Sequence, residues 1–269
     1  MKKINNPNKT KLAKSMGISR SSLYYKSKMD IKDQIIKEQI LSTLRDHPAY
    51  GHKRIALHLG FNKKRILRIM KKYGLRPSIK RGKKPYKKED CGNLPARHFN
   101  QIKALCPIRT NVIWATDFTY LWFQGRFYYL ATIIDVYSRQ IIGVAISLCH
   151  NKELILNAFK DALIKNKPPH YLHSDQGSEY NSEAYIQFAQ GLGCIISMAK
   201  KGSPWENGFQ ESFYSQFKLE LGKLARFQHP GELIEAIYCQ IHYYNTERIH
   251  TKLKMPPAMY AAKYSKGSD

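Results

Sequence analysis

The stretch VIWATDFTYLWF (112–123), followed by the pair Gln124-Gly125, then RFYYLATIIDVYS (126–138) and QIIGVAISL (140–148), decides the architecture of this chain. Runs of β-branched and aromatic residues at this length, parted by tight turn signals, predict three consecutive strands joined as an antiparallel meander. One residue breaks the apolar texture. Asp117 sits inside the first strand among Trp114, Phe118 and Leu121, where a carboxylate is costly unless it is paired or bound to metal.

Downstream, the patterns predict a helix over about 152–165, a strand HYLHSD (170–175), a helix near 182–190, a strand CIISMA (194–199) and a long helix from Pro204. Three antiparallel strands followed by alternating helices and strands give the order of a ribonuclease H-like α/β fold with a mixed five-stranded sheet. Asp175 ends the fourth strand just before Gln176-Gly177, and the carboxyl ends of strands are where open α/β sheets bind ligands. The long helix announces itself with Ser203 as N-cap, Pro204 at its first position and Glu206 as the third-position partner of a capping box. At about 100° per residue, Asn207, Glu211 and Lys218 share one side, opposite Trp205, Phe209, Phe213 and Phe217.

Asp117, Asp175 and Glu211, brought together, would repel one another unless cations relieve them. Hard oxygen donors suit Mg2+, with Mn2+ as a substitute. Two such ions about 3.5–4 Å apart support an in-line phosphoryl displacement without a covalent enzyme nucleophile.

The region before the strands is helical and basic. Residues 11–25 read as a short helix, a turn at Gly17 and a second helix capped by Ser19 or Ser21, with Arg20 and Ser21 near the start of a recognition helix. Residues 31–46 predict a packing helix with Ile31, Ile35, Ile36, Ile40, Leu41 and Leu44 on one side, ended by Pro48. Residues 51–75 repeat the helix-turn-helix arrangement: Gly60 turns the chain, Asn62 caps, and the second helix carries Lys63, Lys64, Arg65 and Arg68. From Arg76 to about Arg109 periodicity is lost, and RPSIKRGKKPYKKED reads as a phosphate-tracking linker. The expected organisation is a helical DNA-binding region (1–75), a basic linker (76–110) and the α/β core with a C-terminal helix (111–269).

Charge divides the same way. Residues 1–110 hold 29 basic and 6 acidic side chains, a surplus of 23, whereas residues 111–269 hold 16 and 14, a surplus of 2. A polyanion, nucleic acid first, is the expected partner of the front of the chain. Five cysteines without a C-x-x-C pair suggest neither a disulfide framework nor a four-cysteine zinc site. Met1-Lys2-Lys3 is followed by Asn5, Asn6, Pro7 and Asn8 rather than an apolar segment, and the apolar stretch 127–148 is broken by Asp135, Ser138 and Arg139. The expectation is a cytoplasmic, nucleoid-associated protein without membrane contact.

The segments WATDFTY (114–120), IIDVYSR (133–139), HSDQGSEY (173–180), MAKKGSPWENGFQESFYSQFKLE (198–220) and YNTERIH (244–250) together resemble the second-frame (OrfB) transposases of the IS-three insertion-sequence family, which carry a retroviral-integrase-like DDE core. The spacing agrees: 35 residues separate Asp175 from Glu211, and Lys218 follows Glu211 by seven. The resemblance runs from about residue 31 to 260. It implies that Asp117, Asp175 and Glu211 are the metal-binding catalytic triad with two ions per site, and that Lys218 contacts the transposon end. It also implies release of a 3′-hydroxyl at the end of the mobile DNA, then attack of that hydroxyl on a second phosphodiester. Its partners would be terminal inverted repeats and target DNA, a homo-oligomer on paired ends, and the first-frame (OrfA) protein or a fusion with it. The chain departs from the family in having Glu206-Asn207-Gly208 where Asp-Asn-Ala is common, and in its tail LKMPPAMY (253–260).

Further residues are open to two readings. Asp135 fits a turn acceptor better than a fourth ligand. Arg139 contacts DNA or pairs with Asp135. His173 shares a strand face with Asp175 and either supports the metal or packs. Tyr243, Tyr244, Asn245, Arg248 and His250 on the last helix form a DNA-facing patch or pack inward. The competing function is a catalytically silent DNA-binding regulator or inhibitor of transposition, which has no need of carboxylates placed among apolar strands.

Overall fold

The computed structural model describes residues 8–24, 28–79, 98–200 and 203–264. It divides into two compact units, Met1–Pro77 and Ser78–Asp269. Most of the expected linker, residues 80–97, lies outside the described residues, as does Tyr25.

The first unit contains α1 (Lys9–Ser15), α2 (Lys28–Asp46), α3 (His52–Leu59) and α4 (Lys63–Lys72). The second helix-turn-helix segment forms as its punctuation dictates. Gly60 closes α3 in the left-handed region at φ 69°, and Asn62 caps α4 by accepting from the Lys64 amide at 2.8 Å. Ile66, Ile69 and Met70 are buried, as the pattern requires. The first segment differs from expectation. After Gly17, Ser19 caps only a four-residue 3-10 turn, Arg20–Leu23, rather than an α-helix. The hydroxyl of Ser19 meets both the Ser21 and Ser22 hydroxyls at 2.8 Å, local bonding that competes with α-helical propagation.

The inward face of α2 is also shifted. Asp33, Ile36, Ile40 and Thr43 are buried, while Ile31 and Ile35 are 65% and 58% exposed. The cause is an ion pair with a buried carboxylate: both oxygens of Asp33 accept from the half-exposed Arg68 guanidinium of α4, at 2.8 and 2.6 Å. An apolar-only reading places the stripe on the wrong phase because one of its central members is a charge.

The second unit is built on β1 (Ile113–Phe123), β2 (Arg126–Asp135), β3 (Ile141–Ser147), β4 (Tyr171–Ser174) and β5 (Ile195–Met198), in the order β3-β2-β1-β4-β5. β1, β2 and β3 pair antiparallel, and β4 and β5 join in parallel. Gln124 and Gly125, both at positive φ, make the two-residue turn between β1 and β2. This is the mixed five-stranded sheet expected of a ribonuclease H-like core.

Helices cover both faces. α5 (Lys152–Leu163) and α6 (Glu183–Gly191) pack on a cluster containing Trp114, Ile133, Phe159 and Ile196. α7 (Gly208–Leu221) and α8 (Pro230–Thr246) pack on a cluster containing Ile113, Leu130, Phe213, Phe217 and Ile237. A final helix, α9, spans Pro257–Tyr264. Gly143 lets α5 press against β3, since a Cβ there would lie 2.3 Å from the Ala158 carbonyl oxygen.

Two local expectations are corrected. The part of the expected linker from residue 98 onward packs on the core: the Gln101 amide donates to Ser197 Oγ, Asn100 Nδ2 donates to Glu206, and Ile102 is buried. Its lack of periodicity reflects irregular backbone, not separation from the fold. The start of the long helix is a 3-10 turn, Pro204–Asn207, and Ser203 makes no side-chain cap. Glu206 does not complete a capping box because its carboxylate accepts from the Lys200 amide and Asn100 instead.

Candidate active site

β1 outruns its parallel neighbour, and the site grows from that mismatch. Ala115 is paired with His173, the last pair between the two strands, and β4 ends at Ser174, so Asp175 leaves the sheet next to the part of β1 that bears Asp117 and its charge acts on that carboxyl. α7 then lies along β1 and supplies Glu211 from its first turn.

Four polar side chains of this segment are bonded to carbonyls of the sheet. Asn207 Nδ2 donates to the Thr116 carbonyl at 3.2 Å. Gln210, fully buried, donates to the carbonyls of Ala115 at 2.7 Å and Thr132 at 3.0 Å. The Tyr214 hydroxyl donates to the Asp117 carbonyl at 2.7 Å and accepts from Thr132 Oγ1 at 2.9 Å. Lys218 Nζ donates to the Tyr120 carbonyl at 3.0 Å. The backbone of Asp117 and the helix bearing Glu211 are thereby tied together by hydrogen bonds that are buried at Asn207 and Gln210, partly buried at Tyr214 and exposed at Lys218.

Electrostatics mark the same place. Burial pushes the Asp117 carboxyl up to about 7, and the charges of Asp175 and Glu211 push the same way, against the Phe118 amide and Lys218. Asp175 is raised too, chiefly by burial, with Glu179 adding and the Gly177 amide opposing. Among the described residues, no ion pair with Lys, Arg or His reaches any of the three carboxylates. Asp117 accepts from the Phe118 amide at 2.8 Å and Asp175 from the Gly177 amide at 3.0 Å. With those bonds made, no three His, Cys, Asp or Glu side chains among the described residues converge to hold an ion. Each of these bonds uses one carboxylate oxygen, Oδ1, and leaves the other oxygen of the same group to accept a further partner. The donor set itself, three carboxylates of which Asp117 is half-buried and Asp175 and Glu211 are exposed, is the chemistry a hard divalent cation satisfies.

The other expected residues separate by position. Lys63 and Lys64 are exposed on α4, as are Arg20 and Ser21 on the 3-10 turn. Arg65 is half-buried with its guanidinium over the Phe61 ring, and Arg68 is engaged by Asp33. Asn207 and Arg248 are corrected. Asn207 is buried against β1, its amide spent on the Thr116 carbonyl. Arg248, 2% exposed, binds Glu220 at 2.8 Å and Gln216 at 3.0 Å, so no guanidinium reaches a DNA surface from there. Its neighbours Tyr244 and Asn245 bond to the backbone at Arg139 and Ile141, which makes this part of α8 structural.

Asp135 is a turn acceptor, taking the Ser138 amide and hydroxyl at 2.7 Å and the Asn111 amide at 2.9 Å. Arg139, at φ 63°, does not reach back to it with its guanidinium, which lies 4.1 Å from the Phe209 ring centre, in a cleft of about 440 Å³ also lined by Trp205 and Lys252. His173 packs inside, bonded to Ser197 at 2.9 Å, and burial lowers it to about 4. Gln210 and Tyr214 were missed by the sequence reading. Their signal is weak but present: Gln210 falls on the same side of the helix as Phe213 and Phe217, where a polar residue is buried and needs a partner.

The integrase core domain family matches residues 108–204, and a second family of the same description matches 192–257. A chain of the simian T-cell lymphotropic virus intasome, solved with the PP2A regulatory subunit B56 gamma, has the same fold at a TM-score of 0.52 and 17% identity, over 81% of this chain and 73% of that one. Among curated relatives, the transposase for insertion sequence element IS904 of Lactococcus lactis is 34% identical, over 89% of this chain and 98% of its own length. The putative transposase InsK for IS150 of Escherichia coli is 31% identical, over 90% and 89%. The class is therefore that of the integrase-type polynucleotidyl transferases. Within it, the chain belongs to the IS-three family of insertion-sequence transposases, OrfB type. Among the described residues no helix is long and apolar enough to cross a membrane.

Proposed function

We propose that Asp117, Asp175 and Glu211 are the catalytic carboxylates of this transposase and that they hold two divalent ions, Mg2+ with Mn2+ as a substitute. The observation that carries the reading is Asp117: a carboxyl on a central strand, raised to about 7 by burial and by the two other acidic residues against the pull of Lys218, with no ion pair to it among the described residues. Bound there, the ions would supply charge stabilisation at the attacking and leaving oxygens of an in-line displacement. The protein's own part is placement. Gln210 and Tyr214 fix α7 and the Asp117 backbone, so the three carboxylates meet a phosphodiester with little reorganisation. Lys218, beside the open length of β1, is suited to hold the phosphate backbone of the DNA end.

The reaction is release of a 3′-hydroxyl at the terminal repeat by water, followed by attack of that hydroxyl on a target phosphodiester. Each step makes one P–O bond and breaks one, so no external energy source is needed. Lys63 and Lys64 on α4, with Arg20 and Ser21, are the proposed DNA contacts of the first unit, and the working assembly is a homo-oligomer on paired ends in the cytoplasm at the nucleoid. The first-frame protein, separate or fused, is the proposed protein partner.

The test is strand transfer with labelled terminal-repeat ends in Mg2+ or Mn2+, comparing wild type with Glu211→Gln at matched fold and DNA affinity. Joined product from wild type alone is the expected result. Equal product from both proteins would overturn the assignment. Tight binding without product from either, even with the first-frame protein added, would favour the silent regulator.

A further inference from the structure

The sheet face that α5 and α6 cover runs out from beneath them toward the β1–β2 turn. There Tyr120, Trp122 and Phe127 are 58%, 57% and 41% exposed. Contiguous bare aromatics of this size mark interaction sites rather than ordinary surface. Strand register gathers them: Tyr120 stands opposite Tyr129, and Trp122 opposite Phe127. The Phe127 ring centre is 5.4 Å from that of Tyr120 and 4.6 Å from that of Trp122, both steeply inclined. Lys218 reaches over from α7, with Nζ 5.0 Å from the centre of the Tyr120 ring. Arg126 is exposed at the turn, and residues 118–129 contain no carboxylate.

We propose that this aromatic platform seats unpaired nucleobases of a DNA strand adjoining the reacting phosphodiester. The inference rests on the functional reading above and adds where the flanking nucleotides go. Tyr120 and Trp122 are three and five residues beyond Asp117, about 10 and 17 Å along an extended strand, and the odd spacing turns them to the opposite face of the sheet. Lys218 spans the two sides at the edge of β1 that β4 no longer pairs, acting on the Asp117 carboxyl while lying over the Tyr120 ring. A strand whose phosphodiester lies at the three carboxylates and passes over that edge carries its neighbouring nucleotides onto these rings. Duplex DNA hides its base faces, whereas a frayed or displaced strand offers them. Stacking on aromatic side chains tolerates any sequence because every base has a π-face. The cations on the rim match a sugar-phosphate backbone, and nothing acidic within the hairpin opposes it. Holding splayed bases on the platform would keep the end open while its phosphodiester is cut and joined.

The experiment is direct binding in EDTA, with a twelve-nucleotide oligothymidylate and a blunt mixed-sequence duplex of the same length as probes, read by anisotropy and by tryptophan emission. Wild type should show saturable quenching with the single strand. Trp122→Leu and Phe127→Leu should each weaken single-strand binding by roughly 5- to 20-fold while duplex binding changes by less than about twofold. Trp122→Phe should keep most of the affinity and lose most of the quench, which separates stacking from folding damage. Unchanged single-strand binding in the leucine variants, or equal loss for both probes, would overturn the proposal. So would sedimentation showing dimers that the variants dissolve while oligothymidylate binding persists, because the face would then belong to a second copy. With no divalent ion present, this result is independent of the carboxylates: failed strand transfer beside intact single-strand binding would count against the functional reading alone.

Discussion

Asp33 on α2 and Asp117 on β1 both give up solvent, and the chain treats them in opposite ways. Asp33 is wholly buried, gripped by Arg68 through both oxygens and approached by Lys72 at 3.2 Å. The Arg68 hydrogen bonds, against the cost of burial, bring its carboxyl down to about 2. Asp117 receives one amide, its own neighbour's, and its carboxyl rises to about 7. A buried charge with its partner built in is architecture. A half-buried carboxyl with no ion-paired cation among the described residues, beside two more acidic residues, is the pattern that motivates the proposed metal site.

The comparison breaks most visibly if Asp117 is removed. Asp117→Asn should lower strand transfer on the order of a thousandfold or more, since the amide keeps the shape and discards the charge that would hold metal. The same substitution should make the metal-free protein more stable at pH 8, because it deletes a carboxylate that the fold tolerates poorly. A gain in stability coupled to a loss of activity distinguishes this residue from a structural acid. If Asp117→Asn instead lowered stability and left strand transfer within a few fold, the carboxylate would belong to the architecture.

The two aspartates should also answer pH with opposite signs. Asp117 binds its proton more tightly folded, about 7, than unfolded, near 3.8, so stability is fully present below about pH 4 and is lost as pH rises through 7. Asp175, raised by burial, adds in the same direction. The expected loss is on the order of 2–4 kcal/mol between pH 4 and 8 without metal, measured by denaturant unfolding. Divalent ion should recover it, and Asp117→Asn should flatten the slope. Asp33, held down, contributes stability that is present above about pH 4 and disappears as pH falls toward 2.

How much of this contrast the sequence disclosed depends on how far each residue's partner lies along the chain. The five strands and their order were legible because alternation, turn pairs and β-branched runs are local signals, and Gln124-Gly125 and Asn62 acted where they stood. Asp117 was legible because a carboxylate in an apolar strand is locally discordant. Asp33 was not: its partner is 35 residues away on α4, so the reading put α2 on the wrong phase and counted Arg68 as free for DNA. Arg248 misled in the same way, with Glu220 lying 28 residues earlier. Asn207, Gln210 and Tyr214 were hidden by a related effect. A polar residue on a helix looks solvated until a strand carbonyl is found beneath it.

The smallest expected effect sharpens the comparison from the architectural side. Asp33→Asn leaves Arg68 and Lys72 without their shared counter-charge inside α2 and α4, while the core of the second unit keeps every contact described above. Arg68 retains water on nearly half of its side chain, which softens the loss relative to a fully enclosed pair. The expected outcome is a drop in melting temperature on the order of 5 °C. It should be confined, by hydrogen exchange, to amides of residues 28–72. Single-strand binding and the metal-dependent pH slope should stay as in wild type. Exchange that quickened across β1 and α7 as well would mean that the two units unfold together, and the contrast between a self-paired and an unpaired aspartate would then describe one cooperative structure rather than two separately stabilised ones.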